Sequence, residues 1–304
     1  MAFDVSTVTG YVSANEKKLI GKAVIGGKTA SLLNLQTGVK GSAYLNLLNA
    51  DPVLQAGGCG WTASGTTTVT RRQISTGSIK VNEPFCDKDL TSTFMQYGVK
   101  VAVGSKTLPF EEEFIGQNIA GIQKKFEETI WRGDITGATG THLDRFDGFI
   151  KIIGAASGVV DATVSGKTLS ANTKEAIDAI VAKIPDEIFD RTDLVIFVGT
   201  EIYRKYVKAI QDANLFNYSL DLVGSMECTI PGTSIKLVGV HGLSSQNKAY
   251  ATYAENMFLG TDMEGDSEKF LFWYSEDNSE FRLKVEFNAG VQIAFPDFVV
   301  KYTA

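Results

Sequence analysis

The chain has little of what most catalytic or secreted proteins need. Its three cysteines, Cys59, Cys86 and Cys228, are odd in number and far apart, and none forms CxxC. That pattern supports neither a disulfide framework nor a thiolate zinc site, and it fits a reducing cytosol. Only two histidines occur, His142 and His241, so neither an HExxH helix nor a local histidine-built metal cluster is available. No run approaches the roughly 18 apolar residues that would span a membrane. The opening MAFDVSTVTGYVSANEKK lacks the basic-then-apolar order of a signal peptide. Positive charge is also short: 29 Lys and Arg against 35 Asp and Glu leave a net charge of −6. That argues against a broad nucleic-acid-binding surface, because such surfaces are basic. Prolines number 6 against 30 glycines, which points to many turns and bulges rather than disorder.

What is present describes an ordinary globular protein. The 304 residues are enough for one large domain or two ordinary ones, with 44% hydrophobic and 21% charged residues. Chemical motifs fail on inspection. Gly26–Gly27–Lys28–Thr29 resembles the end of a phosphate-binding loop, but the required earlier glycine is Lys22. No serine lies in a GxSxG elbow. Glu111, Glu112 and Glu113 sit where the first turn of a helix favours carboxylates, which explains them without chemistry. Arg71–Arg72 and Trp131–Arg132 are isolated basic contacts. No enzyme, cofactor or metal is expected.

Organisation is more informative. Residues 1–54 read as an extended N-terminal arm with short helical or strand pieces, one of them Glu16 to Val24. Apolar residues at Val39, Tyr44, Leu45, Leu47 and Leu48 show no clean period. Residues 57–85 read as a polar, Gly/Thr-rich, two-stranded ribbon, with β-prone stretches at Thr66 to Arg72 and Ser78 to Phe85. Its turn is either Ser64–Gly65 or Thr76–Gly77. Two strands alone are marginal in water, so such a ribbon needs cover from outside its own fold unit. Asp87 to Gly98 reads as a short helix with Asp87 as N-cap. Pro109 to Arg132 reads as a long helix, capped by Thr107 or Leu108 and ended by Gly133–Asp134. Its stripe is Phe114, Ile115, Ile119, Ile122, Phe126 and Ile130, and it is roughly 34 Å long. Gly116 and Gly121 inside it imply a bend or a close approach by another backbone.

The second half is α/β in character. Thr173 to Phe189 is an amphipathic helix, Asp193 to Gly199 a buried strand, and a helix capped by Thr200 runs to Ala213. Strands follow at Ser234 to Val240 and Ala249 to Leu259. Phe270 to Ser275 and Glu280 to Phe287 form a hairpin, and Gly290 to Tyr302 closes the chain.

This order resembles the major capsid proteins of tailed bacteriophages, which share the Hong Kong 97-like capsid fold. LPFEEEFIGQNIAGIQKKFEETIWRGD (108–134) looks like the spine helix and residues 57–85 like the E-loop. TLSANTKEAIDAIVAKIPDEIF and DLVIFVGTEIYRKYVKAIQDA look like the axial domain, and FLFWYSEDNSEFRLKVEFNAGVQIAFPDFVVKY like the closing segment. The resemblance implies an α+β chain: N-arm 1–54, E-loop 55–85, peripheral domain with spine helix 86–134, axial domain 135–262, peripheral hairpin 263–291 and a return to the axial domain at 292–304. It implies pentamers and hexamers that tile an icosahedral shell around double-stranded DNA, without sequence-specific contact. Inter-subunit contacts are expected from the E-loop at Trp61, Thr68, Arg71, Arg72, Ile74, Ile79 and Lys80, and from the hairpin at Asp277 and Asn278. Some relatives crosslink a loop lysine to an asparagine, and Lys80 and Asn278 are the matching residue types here. Expected partners are further copies of the chain, a portal, and scaffolding and decoration proteins. The expected location is the virion, assembled in the host cytoplasm, with no membrane. No cleaved scaffold segment is expected before the arm. The rival is an encapsulin, a shell of the same fold that encloses a cargo enzyme.

Overall fold

The computed structural model describes residues 5–55, 57, 59, 64–86, 110–213, 226–262, 269–278 and 280–303. Six α-helices are described: α1 (Val5–Ile25), α2 (Phe110–Arg132), α3 (Phe149–Ala155), α4 (Thr173–Ala182), α5 (Asp186–Phe189) and α6 (Thr200–Asp212). They pack on two sheets.

The first sheet is built on β12 (Glu280–Ile293). β4 (Gly77–Cys86) pairs antiparallel along one edge of it. β11 (Lys269–Ser275) and β10 (Met257–Thr261) follow one another along the other edge, and β1 (Asn34–Gln36) adds parallel to β10. The second sheet has the order β5 (Val160–Asp161), β13 (Val300–Thr303), β9 (Lys248–Tyr253), β6 (Leu194–Gly199), β8 (Lys236–Val240), β7 (Glu227–Thr229). β2 (Ser42–Asp51) and β3 (Thr66–Ser75) form a separate ribbon.

Alternate residues of β6 explain its unbroken apolar run. Val195 and Phe197 face the core shared with α2, while Leu194, Ile196 and Val198 face the core under α4 and α6. A strand covered on both faces has no solvated side to mark with polar residues.

The long helix lies where its stripe places it. Ile115, Ile119, Ile122, Phe126 and Ile130 are buried. They pack against the first sheet, with the rings of Phe126 and Phe287 5.4 Å apart. Its last turn carries Trp131, fully buried, with ring centroids of Phe197 at 5.2 Å, Phe149 at 5.4 Å and Tyr250 at 5.8 Å. The indole Nε1–H donates to Thr29 Oγ1 at 2.9 Å, and that hydroxyl donates to Glu127 Oε1 at 3.0 Å. These bonds tie the turn after α1 to the end of α2, and the indole's ring contacts with Phe197 and Tyr250 add the second sheet. A Cβ on Gly242 would run into the Trp131 ring and the Glu127 carbonyl, so only glycine lets the second sheet come this close. The would-be phosphate loop is therefore a structural turn, with Thr29 buried and Lys28 paired to Glu227 at 3.6 Å.

Several expectations are corrected. The start of the chain is not an extended arm with a short helix at Glu16. It is a helix of 21 residues whose Val12, Leu19, Ile20, Ala23 and Val24 face the core at helical spacing. Glu16 Oε1 accepts the Phe270 amide at 3.1 Å, so this helix also covers part of β11. The 57–85 ribbon is not a hairpin of its own two stretches. β3 pairs with β2, from Ser42↔Ser75 to Asp51↔Thr66, and β4 joins the first sheet instead. The ribbon thus turns within 52–65, at whose end Gly65 has φ +88°, and Thr76–Gly77 is the crossing from ribbon to sheet. The Thr173 to Phe189 helix is broken before Pro185, which has no N–H to donate and disfavours helix at Ile184. Gly199, not Thr200, is the N-cap of α6. The Ala249 to Leu259 strand is two strands, β9 and β10, that pass from one sheet to the other through the turn at Ala254–Asn256. Among the described residues, nothing outside the helix's own backbone comes within 4 Å of a Cβ built on Gly116 or Gly121. The Asp87 to Gly98 helix and the caps at Thr107 or Leu108 lie outside the described residues.

Replacing Thr29 by valine keeps the shape but leaves the buried Trp131 Nε1–H and Glu127 Oε1 without this partner. The expected loss in urea unfolding is about 1–3 kcal/mol. A neutral result would show that this bonded junction contributes nothing to the fold.

Candidate assembly surface

The ribbon has a root and a free half, and its register separates them. One face carries Leu45, Leu47, Arg72 and Ile74. At the root Leu45, Leu47 and Ile74 pack on Ala294, Phe258 and Phe295. Thr76 N–H donates to the Gly41 carbonyl at 2.8 Å, and Gln292 Nε2 donates to the Gln73 carbonyl at 2.7 Å. Gly290 gives the room for this anchorage, since a Cβ there would collide with the Ser75 carbonyl. Beyond Leu47 both strands are exposed on both faces, from Leu48 to Asp51 and from Thr66 to Thr70.

The opposite face is apolar as well. Tyr44, Leu48 and Val69 are 63%, 65% and 63% exposed, and Leu54 near the tip is 98% exposed. Leu48 stands directly across from Val69, with Asn46 and Arg71 as the next pair toward the root. This division is why Tyr44, Leu45, Leu47 and Leu48 show no clean period: one face packs on the root, and the other is exposed among the described residues.

A second exposed face lies on the first sheet. Trp273 stands across from Arg282, which stands across from Pro84. Leu271, Lys284 and Asn82 form the next row. Leu271 and Trp273 are partly exposed there.

The residues named from the sequence fall into separate places. Thr68 and Arg71 lie on the ribbon and are exposed. Arg72 is half-buried at the root, where burial pulls its guanidinium pKa down and Asp297 pushes it partly back. Ile74 is corrected: it is fully buried in the chain's own core and has no surface to offer a neighbour. Ile79 and Lys80 are on β4, not on the ribbon. Ile79 stands across from Phe287 and packs on the main core, and Lys80 pairs with Glu286 at 3.8 Å. Asp277 and Asn278 are exposed in the hairpin turn, with Asn278 Nδ2 donating to Glu280 Oε1 at 3.4 Å. Arg282 at 2.9 Å, with Asn278 beside it, holds the Glu280 carboxyl below the usual range. Lys80 lies opposite Glu286, six positions along β12 from the turn residue Glu280, roughly 20 Å at strand rise. The two crosslink candidates are therefore not brought together within one chain. Trp61 lies outside the described residues. Sequence reasoning missed Tyr44, Leu48, Val69 and Trp273, because nothing local marks which face of a strand goes uncovered.

Among the described residues no group of three His, Cys, Asp or Glu side chains is placed to hold a metal ion. No described helix is long and apolar enough to cross a membrane. No protein-family model matches the chain, and no curated protein matches it by sequence. Solved structures do match in fold. A chain of the satellite phage P4 procapsid, a structure that includes the size determination (Sid) protein, superposes with a TM-score of 0.64 at 11% identity, over 95% of this chain and 90% of that one. This is the fold of phage capsid proteins. The capsid of Myoviridae phage XM1 shows the same capsid fold at a TM-score of 0.54 and 12% identity, over 90% of this chain and 88% of that one. A virus-like particle from Pyrococcus furiosus matches at a TM-score of 0.51 and 9% identity, over 94% of this chain and 96% of that one.

If the Tyr44–Leu48–Val69 face meets no part of its own chain, Leu48→Ser with Val69→Ser should leave the subunit's unfolding free energy within about 0.5 kcal/mol of wild type. The same change should reduce the self-associated fraction in sedimentation. A stability loss several times larger would place that face inside the subunit.

Proposed function

We propose that this chain is the major subunit of a tailed-phage capsid, assembling as pentamers and hexamers into an icosahedral shell around double-stranded DNA. The observation that carries the reading is the free half of the ribbon: two strands with apolar side chains that no described residue of their own chain covers. Two strands alone are marginal in water, so stability here calls for a neighbour. The capsid fold supplies the second support.

In this reading the ribbon β2–β3 is the E-loop, α2 is the spine helix, the first sheet is the peripheral domain and the second sheet with α4 and α6 is the axial domain. The ribbon's apolar face, with Thr68 and Arg71 on the ribbon, reaches onto an adjacent copy, where the Leu271–Trp273 rows and the Asp277–Asn278 turn offer surface. A contact between two different patches repeats head to tail and closes as a ring when the rotation allows. The net charge of −6 suits a wall that confines DNA by volume while counterions neutralise the phosphates. The role is structural and not enzymatic. Portal, scaffolding and decoration proteins are the further partners. The virion, assembled in the host cytoplasm, is the place of action.

The likeness to the Pyrococcus furiosus virus-like particle keeps a second reading, a shell that encloses a cargo enzyme. Particles purified from the native source separate the two: nuclease-protected double-stranded DNA supports the phage reading, and a stoichiometric co-purifying enzyme supports the other.

The ribbon is tested by deletion. Residues 49–68 are replaced with Asn-Gly, which joins the directly opposed Leu48 and Val69 through a two-residue turn and spares Ile74 and β4. The variant should stay folded and remain as small species in light scattering, where the wild type forms particles. Particles of normal yield and stability from the shortened chain would contradict the proposal.

A further inference from the structure

The chain's only two histidines, far apart in sequence, meet at one carboxylate. His142 Nε2 lies 2.9 Å from Glu128 Oε2, and His241 Nε2 lies 3.3 Å from Glu128 Oε1. The three residues come from different parts of the fold. Glu128 is on α2. His142 is on the loop that runs from Gly133 to Gly148 and returns the chain to α3. His241 opens the short turn His241–Leu243 after β8, on the second sheet. We propose that Glu128, His142 and His241 form a pH-responsive clamp that holds α2 to this loop and to the second sheet most firmly in mildly acidic solution.

Both rings present Nε2 to a carboxylate oxygen, so each bond needs the proton on Nε2. A neutral ring keeps that proton on either nitrogen and loses the bond when it moves to Nδ1. A charged ring has protons on both and donates always, in a charge-assisted bond roughly twice as strong as a neutral one. Imidazoles gain charge near pH 6.5. The acidic limit is set by Glu128. Burial favours its neutral form, but the bond to His142 and the nearby Lys125, at 3.5 Å, outweigh that and hold its pKa below the usual carboxylate range. The signs then follow. A bond that strengthens when the ring is charged is stronger in acid and weaker as pH rises. A carboxylate held ionised adds stability above its unfolded value near 4.3 that is lost as pH falls. The clamp is therefore firmest in mild acid, as long as Glu128 stays ionised.

Other charges face the pair. Around His142 they are Lys125 on α2, Arg145 on the same loop, and Lys80 and Glu83 on β4. Arg145 is held by Asp144 at 2.6 Å, and Lys80 by Glu286. Around His241 they are Lys124 and Glu127 on α2 and Lys28 on the turn after α1. The two ring nitrogens sit on different oxygens of one carboxylate.

This inference concerns the subunit's own fold and stands apart from the shell reading. Thermal midpoints of the full chain are measured at pH 5.5 and 8.0 in one assembly state, checked by light scattering, for wild type, His142→Gln/His241→Gln and Glu128→Gln. The advantage of wild type over the double variant should be about 2–4 °C larger at pH 5.5 than at pH 8.0. Glu128→Gln, which keeps the side chain's shape, should lose the same pH-dependent part and carries the test if the double variant fails to fold. An advantage that is equal at the two pH values, or larger at pH 8.0, would overturn the clamp.

Discussion

One buried indole sets the frame. Trp131 closes the long helix, fills the space between both sheets and hands its N–H to Thr29, which in turn bonds Glu127. That junction sits within one continuous core that joins the first sheet to the near face of the second. With it, α2 becomes a beam to which the first sheet is fixed along its length and the second at its end. Tight packing of aromatic rings around an indole resists deformation, because interiors are nearly as dense as organic crystals.

The ribbon is the opposite kind of element. Its root is pinned by Ile74, Leu45 and Leu47 on Ala294, while its outer half carries apolar side chains left exposed among the described residues. The molecule thus combines a dense centre with an exposed projection. The exposed Trp273 rows on the first sheet repeat the theme on a flatter surface. In the shell reading, the rigid part carries the geometry and the ribbon carries the contact.

The sequence showed the elements whose signal is local. The stripe of α2, the apolar run of β6 and the β11–β12 hairpin each announce themselves in a few residues. What it hid is pairing between distant segments. Ser64–Gly65 and Thr76–Gly77 are both turn signals, and only tertiary contacts decide that β3 joins β2 while β4 joins β12. The first helix was underread because Gly10, Gly21 and several Ser and Thr residues give it a weak local preference. Its helicity comes from packing against α2 and β11. The run from Ala249 to Leu259 looks the same whether or not it changes sheets. Of the candidate contact residues, Thr68 and Arg71 stand on the ribbon surface, while Ile74 belongs to the core. Nothing local tells an apolar strand residue that faces a root from one that awaits a neighbour.

The most direct test of the account is a cryo-electron microscopy map of the assembled protein that resolves the ribbon. The account predicts closed icosahedral particles in which residues 48–69 lie across an adjacent subunit, with Tyr44, Leu48 and Val69 buried between copies. Absence of particles, or a ribbon folded back on its own subunit inside them, would contradict it.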